Sequence, residues 1–233
     1  EIGSGLVGSE MCIRDRYIAM WQKGNTMKKI DYSLYLCTER SYLQHTTLPD
    51  AVEQAILGGC TMVQLREKDC STRAFYNLAK ELKVVTDQYQ VPLLINDRVD
   101  IALAVDAAGV HLGQSDLPVA QARRILGAEK IIGATAKTVE QAMQAQEEGA
   151  SYLGVGAIYP SPTKKDAKGI TQEELCTIRQ SVDIPIVAIG GITAERLKEV
   201  KSCGVDGVAV ISAILDTQDI RKAAENLKNI WEK

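Results

Sequence analysis

From Met27 onward the chain alternates short apolar runs with longer amphipathic segments. The runs fall at Leu34–Cys37, Met62–Leu65, Leu93–Ile95, Val110–Leu112, Ile131–Gly133, Tyr152–Val155, Ile186–Ile189 and Val208–Val210. Each is short, rich in β-branched or other apolar residues and bounded by polar residues or Gly, which predicts eight buried strands. Between them, Arg73–Gln88, Thr138–Glu148, Thr193–Ser202 and Asp219–Trp231 carry apolar positions at helical spacing. Gly58-Gly59, Gly109, Gly149 and Gly204 stand where a helix gives way to the next strand, and suit a left-handed cap. A repeat of about 26 residues per strand–helix unit predicts one (β/α)8 TIM barrel over 27–233. A doubly wound open sheet is the structural alternative, because spacing does not give strand order.

Glu1 to Thr26 lacks this alternation. It has Gly and Ser early, no sustained period, and neither the apolar core nor the small-residue cleavage site of a signal peptide. We read it as a non-native or disordered leader outside the fold, with Met27 as the natural start.

Composition narrows the function classes. The chain has 233 residues and a net charge of −3. With no basic stripe, nucleic acid is not an expected partner. No apolar run approaches the roughly 20 residues that span a bilayer, so no membrane is expected either. The six cysteines, Cys12, Cys37, Cys60, Cys70, Cys176 and Cys203, show no zinc spacing and read as reduced thiols in a cytoplasmic protein.

In a barrel of this kind chemistry gathers at the C-terminal strand ends, and the polar residues follow that asymmetry. Strand two runs into Gln64-Leu65-Arg66-Glu67-Lys68, sending two cations off one side of the pleat; alone, these would read as a surface salt-bridge cluster. Strand three ends in Asn96-Asp97, and strand four leads to Asp116. Two acids at neighbouring strand ends offer hard oxygen ligands to Mg²⁺ beside a phosphorylated substrate. Asp97 also reads as an N-cap of the following helix, and His111 as a packed interior residue. After strand five, Gly133-Ala134-Thr135-Ala136-Lys137-Thr138 reads as a small-residue turn. There Thr138 with Gln141 fits a capping box, which leaves Thr135 as the candidate ligand. The stretch from Tyr159 to Gly169 has the hydroxyls and cations of an anion-covering loop. At strands seven and eight, Gly190-Gly191 and Ile211-Ser212 offer backbone N–H groups to a phosphate.

Gln64-Leu-Arg-Glu-Lys68, Asn96-Asp97, Gly109-Val-His-Leu-Gly-Gln-x-Asp116, Gly154-x-Gly-x-Ile-Tyr-Pro-x-x-Thr163-Lys164, Ile189-Gly-Gly-Ile192 and Val210-Ile-Ser212 together resemble the thiamine-phosphate synthase family, in order and over Leu34 to about Leu215. The resemblance implies a transferase that joins hydroxymethylpyrimidine diphosphate to thiazole phosphate, releasing pyrophosphate and forming thiamine monophosphate through a dissociative pyrimidinyl cation. It implies that Gln64, Leu65, Arg66, Glu67, Lys68, Asn96, Thr135 and Lys164 bind the pyrimidine diphosphate, with Arg66, Lys68 and Lys164 stabilising the departing charge. It places Mg²⁺ on Asp97 and Asp116, and the thiazole phosphate on Ser161, Pro162, Thr163, Gly191, Ile211 and Ser212. The family's usual Gly-x-Ser-x-His after strand five reads Gly133-Ala-Thr135-Ala-Lys137 here, which keeps a hydroxyl but replaces the His. A thiazole tautomerase of the same barrel family is the alternative function, and a non-catalytic regulatory homologue is the alternative of a different class. The diphosphate set argues against the first and the intact metal ligands against the second.

Overall fold

The computed structural model describes residues 30–43, 45–160 and 169–233. Eight strands, β1 (Leu34–Cys37), β2 (Met62–Leu65), β3 (Leu93–Asn96), β4 (Gly109–Leu112), β5 (Ile131–Ala136), β6 (Tyr152–Gly156), β7 (Ile186–Ile189) and β8 (Gly207–Val210), close into a barrel in sequence order. Every neighbouring pair is parallel, and β8 returns to β1 through Leu36↔Val210. The open sheet is thereby excluded. Around the barrel lie α1 (Leu48–Leu57), α2 (Thr72–Gln88), α3 (Val99–Ala104), α4 (Val119–Leu126), α5 (Val139–Glu147), α6 (Gln172–Ser181), α7 (Leu197–Lys201), α8 (Ser212–Leu215) and α9 (Ile220–Glu232). The leader, Glu1 to Thr26, lies outside the described residues.

Alternation along the strands separates two cores. Leu34, Leu36, Val63, Leu65, Leu93, Ile95, Leu153 and Val155 pack outward against the helices. The alternate positions, among them Tyr35, Met62, Gln64, Leu94 and Tyr152, are buried inside the barrel. α2 shows how a helix meets the outer layer: its buried Phe75, Ala79, Leu82 and Thr86 recur every three or four residues, and Ser71 caps its first turn through the N–H of Ala74 at 3.3 Å. α9 packs on α1 and closes the ring through Ala224, Leu227 and Trp231.

Four sequence expectations change. Gly109 is not a helix cap but the first residue of β4, where an added Cβ would lie 1.8 Å from the Ile131 carbonyl oxygen. Gly133–Ala136 is strand rather than turn, because Thr135 pairs with Gly154 and Ala136 with Val155. The helix expected over Thr193–Ser202 begins only at Leu197. Thr193 Oγ1 donates to Glu195 at 2.6 Å and the Arg196 guanidinium reaches back to the Gly191 carbonyl at 2.7 Å, holding the segment as a turn. Thr138 caps α5 as expected, its Oγ1 accepting the Gln141 N–H at 3.3 Å, but the Gln141 side chain accepts from the N–H of Lys137, one residue before the cap, so only half of the capping box forms there; a complete one stands at Thr171 and Glu174.

The cysteines also depart from expectation. Cys176 on α6 and Cys203 after α7 form a disulfide, their Cα atoms 4.7 Å apart. Adjacent helices of the ring bring residues 27 apart in sequence to bridging distance, which spacing along the chain does not show. Cys60 and Cys70 carry free thiols, and burial pushes the Cys60 thiol up to about 12. No helix among the described residues is long and apolar enough to cross a membrane.

Arg123 on α4 stitches the end of the barrel opposite the strand C-termini. Its guanidinium donates to the carbonyls of Gly127 (2.9 Å), Lys130 (2.6 Å) and Gly149 (2.8 Å) and to Ser151 Oγ (3.0 Å). Arg123→Ala leaves these acceptors unmet and is expected to lower stability by about 2 to 4 kcal/mol, read from urea unfolding. A loss below about 0.5 kcal/mol would show that water replaces the guanidinium.

Candidate active site

Because all strands are parallel, their C-termini open on one mouth, and the candidate residues among those described lie at or next to these strand ends. At β1, Thr38 is fully buried; its N–H bonds the Gln64 carbonyl at 2.9 Å and its Oγ1 accepts the N–H of Arg66 at 3.0 Å. The Arg66 guanidinium is held by Glu39 at 2.9 Å, with both side chains largely buried. Pattern reading missed Glu39, although a signal exists: it is an acid two residues past a buried strand end.

The alternation of the pleat divides the β2 segment. Gln64 faces the barrel interior and donates through Nε2 to the Tyr35 hydroxyl at 2.8 Å. Leu65 faces outward into the helix layer, so only its backbone is available to a substrate. Glu67 is engaged by Arg40 through two contacts of 2.6 and 2.8 Å. Lys68 is exposed.

At β3, Asn96 ends the strand and Asp97 takes a left-handed backbone, φ +62°, held by its N–H to the His111 carbonyl at 2.9 Å. Asp tolerates that conformation better than most residues, and strain of this kind gathers at functional sites. Asp97 caps no helix: Arg98 stands at the N-cap of α3, which has no side-chain cap. Asp116 accepts the N–H of Gly113 at 2.7 Å. The Asp97 carboxyl is pushed up to about 6, first by burial, then by hydrogen bonding and charge repulsion with Asp116, while Lys68 and Arg66 pull it down. Two acids and two cations thus feel one another across the ends of β2, β3 and β4.

This pair fits a divalent cation. Among the described residues no group of three or more His, Cys, Asp or Glu is poised to hold a metal. Mg²⁺, however, takes one or two carboxylates and completes its shell with water and substrate phosphates. A carboxyl raised partly by its acidic neighbour, as Asp97 is by Asp116, is where such an ion relieves repulsion.

The sign of the Asp97 shift gives a stability test. A raised acid binds its proton more tightly folded than unfolded, so its unfavourable contribution grows as pH rises from about 4 to about 6 and persists above. Without Mg²⁺, Asp97→Asn should therefore raise the thermal midpoint at pH 7.5 but not at pH 4. Solvent screening of this half-buried group limits the gain to about 1 kcal/mol. Equal shifts at both pH values would contradict this.

Thr135 lies on β5 with its Oγ1 3.0 Å from His111 Nε2. His111 packs inside the barrel beside Tyr152, ring centroids 5.6 Å apart, as expected. At β7, Gly190 and Gly191 adopt φ +106° and +58° and run against Tyr159 and Pro160, with the Tyr159 N–H on the Gly190 carbonyl at 3.1 Å. Arg196 stacks over the Tyr159 ring, 4.3 Å from its centroid, while bonding Gly191. It braces this loop, and nothing in its sequence context marks it. Ile211 and Ser212 open α8 after β8, both partly exposed. Ser161, Pro162, Thr163 and Lys164 lie outside the described residues.

A closed parallel barrel with paired acids, cations and glycine-lined turns at one mouth defines a (β/α)8 enzyme built for phosphorylated substrates. Residues 34–214 match the family described as thiamine monophosphate synthase. A thiamine-phosphate synthase of Clostridium beijerinckii is 56% identical over 205 residues, 88% of this chain and 98% of the relative. One from Ruminiclostridium cellulolyticum is 54% identical over 203 residues, 87% of this chain and 97% of its own. Among solved structures, thiamine phosphate pyrophosphorylase from Pyrococcus furiosus superposes with a TM-score of 0.81 at 42% identity, covering 87% of this chain and 96% of that one. A 3-hexulose-6-phosphate synthase, at 15% identity and a TM-score of 0.64, shares the fold alone. The chain belongs to the thiamine monophosphate synthase family and is an enzyme of that type.

Proposed function

We propose that the chain condenses a pyrimidine carrying a diphosphooxymethyl group with thiazole phosphate, giving thiamine monophosphate and pyrophosphate, and that the mouth divides into two anion sites. Family membership supports the reaction. The observation that carries the division is the separation of charge from backbone donors around one rim. Arg66, Lys68, Asp97 and Asp116 gather at β2 to β4, while Gly191, Ile211 and Ser212 lie at β7 and β8.

In this reading Gln64 and Asn96 orient the pyrimidine, with the backbone around Leu65 and Glu67 shaping the site. Arg66, Lys68, Thr135 and Lys164 hold the diphosphate. Asp97 and Asp116 hold Mg²⁺, which when bound would neutralise charge on the diphosphate. The thiazole phosphate is assigned to the N–H groups of Gly191, Ile211 and Ser212, together with Ser161, Pro162 and Thr163. The C–O bond to the diphosphate breaks with its electrons going to the leaving oxygen, and the aminopyrimidine's electrons stabilise the resulting cation. The thiazole nitrogen then attacks that cation. Arg66, Lys68 and Lys164 work hardest as the leaving group's charge grows, and binding that strengthens only in that transition state raises kcat. The residues call for no covalent enzyme intermediate.

Thr135 tests the diphosphate side. Thr135→Ser keeps the hydroxyl and should be nearly silent. Thr135→Val should weaken pyrimidine diphosphate binding by about 1.5 to 3 kcal/mol, since a donor to a charged group is lost. Isothermal titration with the pyrimidine diphosphate decides it: if Val binds as tightly as Ser, Thr135 only packs.

A further inference from the structure

Beneath the mouth runs a continuous line of polar side chains from five strands, three of which, Tyr35, Tyr152 and His111, have no part in the substrate sites. Gln64 Nε2 donates to Tyr35 Oη at 2.8 Å, and Tyr35 Oη lies 3.0 Å from Tyr152 Oη. Tyr152 Oη is 2.8 Å from His111 Nδ1, and His111 Nε2 is 3.0 Å from Thr135 Oγ1. The barrel makes room for it. A Cβ added at Gly133 would lie 2.2 Å from the Tyr152 ring, and one at Gly154 would lie 2.7 Å from the His111 ring. Tyr32 packs against Tyr152 with ring centroids 5.2 Å apart and the rings tilted by 42°.

We propose that this line is a positioning device for the diphosphate. Its protons all point from Gln64 towards Thr135, which fixes His111 as the neutral Nε2–H tautomer and turns the Thr135 hydroxyl proton out to the anion. The direction follows from counting protons. Tyr35 already accepts from Gln64, so its single proton goes to its other partner, Tyr152; a buried donor left unmet would be costly. Tyr152, now accepting, gives its own proton to His111 Nδ1, which must therefore be bare. A neutral imidazole then carries its proton on Nε2 and donates it to Thr135 Oγ1. Thr135 is left with its proton free. Counting from the other end agrees: a diphosphate only accepts, so Thr135 must donate to it and accept from His111.

The line does not deliver a proton. Passing one outward would leave a phenolate at Tyr35, and burial holds both Tyr35 and Tyr152 well above the usual phenol range. Its effect is orientation, reinforced because bonds in such a chain polarise one another. Tyr35, Tyr152 and His111 are accordingly positioning residues, acting through Thr135, and the proposal rests on reading Thr135 as a diphosphate ligand.

The test is ¹⁵N-resolved NMR of the imidazoles in the full chain, which has only two histidines; His45→Gln assigns the spectrum. His111 is expected as Nε2–H with a bare Nδ1. Tyr152→Phe should move it towards Nδ1–H and lower kcat about 10-fold, with the KM for thiazole phosphate unchanged. Tyr35→Phe should cause the same shift more weakly. If Tyr152→Phe fails to fold, the wild-type spectrum still decides. An Nδ1–H or doubly protonated ring, or a Tyr152→Phe enzyme with unaltered tautomer and kcat, overturns the line. An Nε2–H ring beside a Thr135→Val variant that binds diphosphate normally would overturn its role at the diphosphate while leaving its direction intact.

Discussion

Replacing Asp97 or Asp116 by Ala is expected to lower turnover by about 10²-fold or more at limiting Mg²⁺. The two carboxyls lie at neighbouring strand ends, close enough to raise the Asp97 pKa to about 6 by burial and by contact with Asp116. On the proposed assignment, removing either leaves one carboxylate, which would hold Mg²⁺ more weakly and leave the diphosphate less neutralised as its bond to carbon breaks. Because the pair acts as a unit, the double variant should be little worse than either single one. Steady-state rates across a Mg²⁺ titration check this. Wild-type rates from either variant at limiting Mg²⁺ would remove the metal assignment.

Gly191→Val should act on the other half of the rim. The residue adopts φ +58°, and an added Cβ would lie 2.7 Å from the Pro160 carbonyl oxygen and 2.9 Å from Tyr159 Cβ. Backbone and Tyr159 must both move, carrying away the N–H groups that would meet the thiazole phosphate. The KM for thiazole phosphate should rise about 10-fold or more, with a smaller effect on the pyrimidine diphosphate. Substrate-resolved KM values decide it: selective damage to the pyrimidine side would mean the two sites have been exchanged.

Much of this is legible in the chain because strand ends are local events. Asp97 stands directly after an apolar run, and parallel strands then bring it to the same rim as Asp116 without further information. The same logic locates Arg66, Thr135, Gly191 and Ser212. What escapes depends on neighbours distant in sequence. Gly133 to Ala136 looks like a turn until the β4 and β6 ladders claim it. The turn from Thr193 to Arg196 reads as helix until Arg196 reaches back to Gly191. Cys176 and Cys203 carry no signal before α6 and α7 lie side by side. The pleat, not the motif, turns Leu65 away from the mouth, and Arg40 engages Glu67 from another strand's loop. The sequence puts His111 in the interior, but the line joining it to Tyr152, Tyr35 and Gln64 exists only once the barrel closes.

The most direct test of the central claim measures pyrophosphate released and thiamine monophosphate formed when the chain is given the pyrimidine diphosphate, thiazole phosphate and Mg²⁺. Equal amounts of both products are expected, with neither appearing if either substrate is omitted beyond slow hydrolysis of the diphosphate, and with rates collapsing on addition of a chelator. Saturable binding of both substrates with no joined product would contradict a condensing enzyme, and full activity in the chelator would contradict the role given to Asp97 and Asp116.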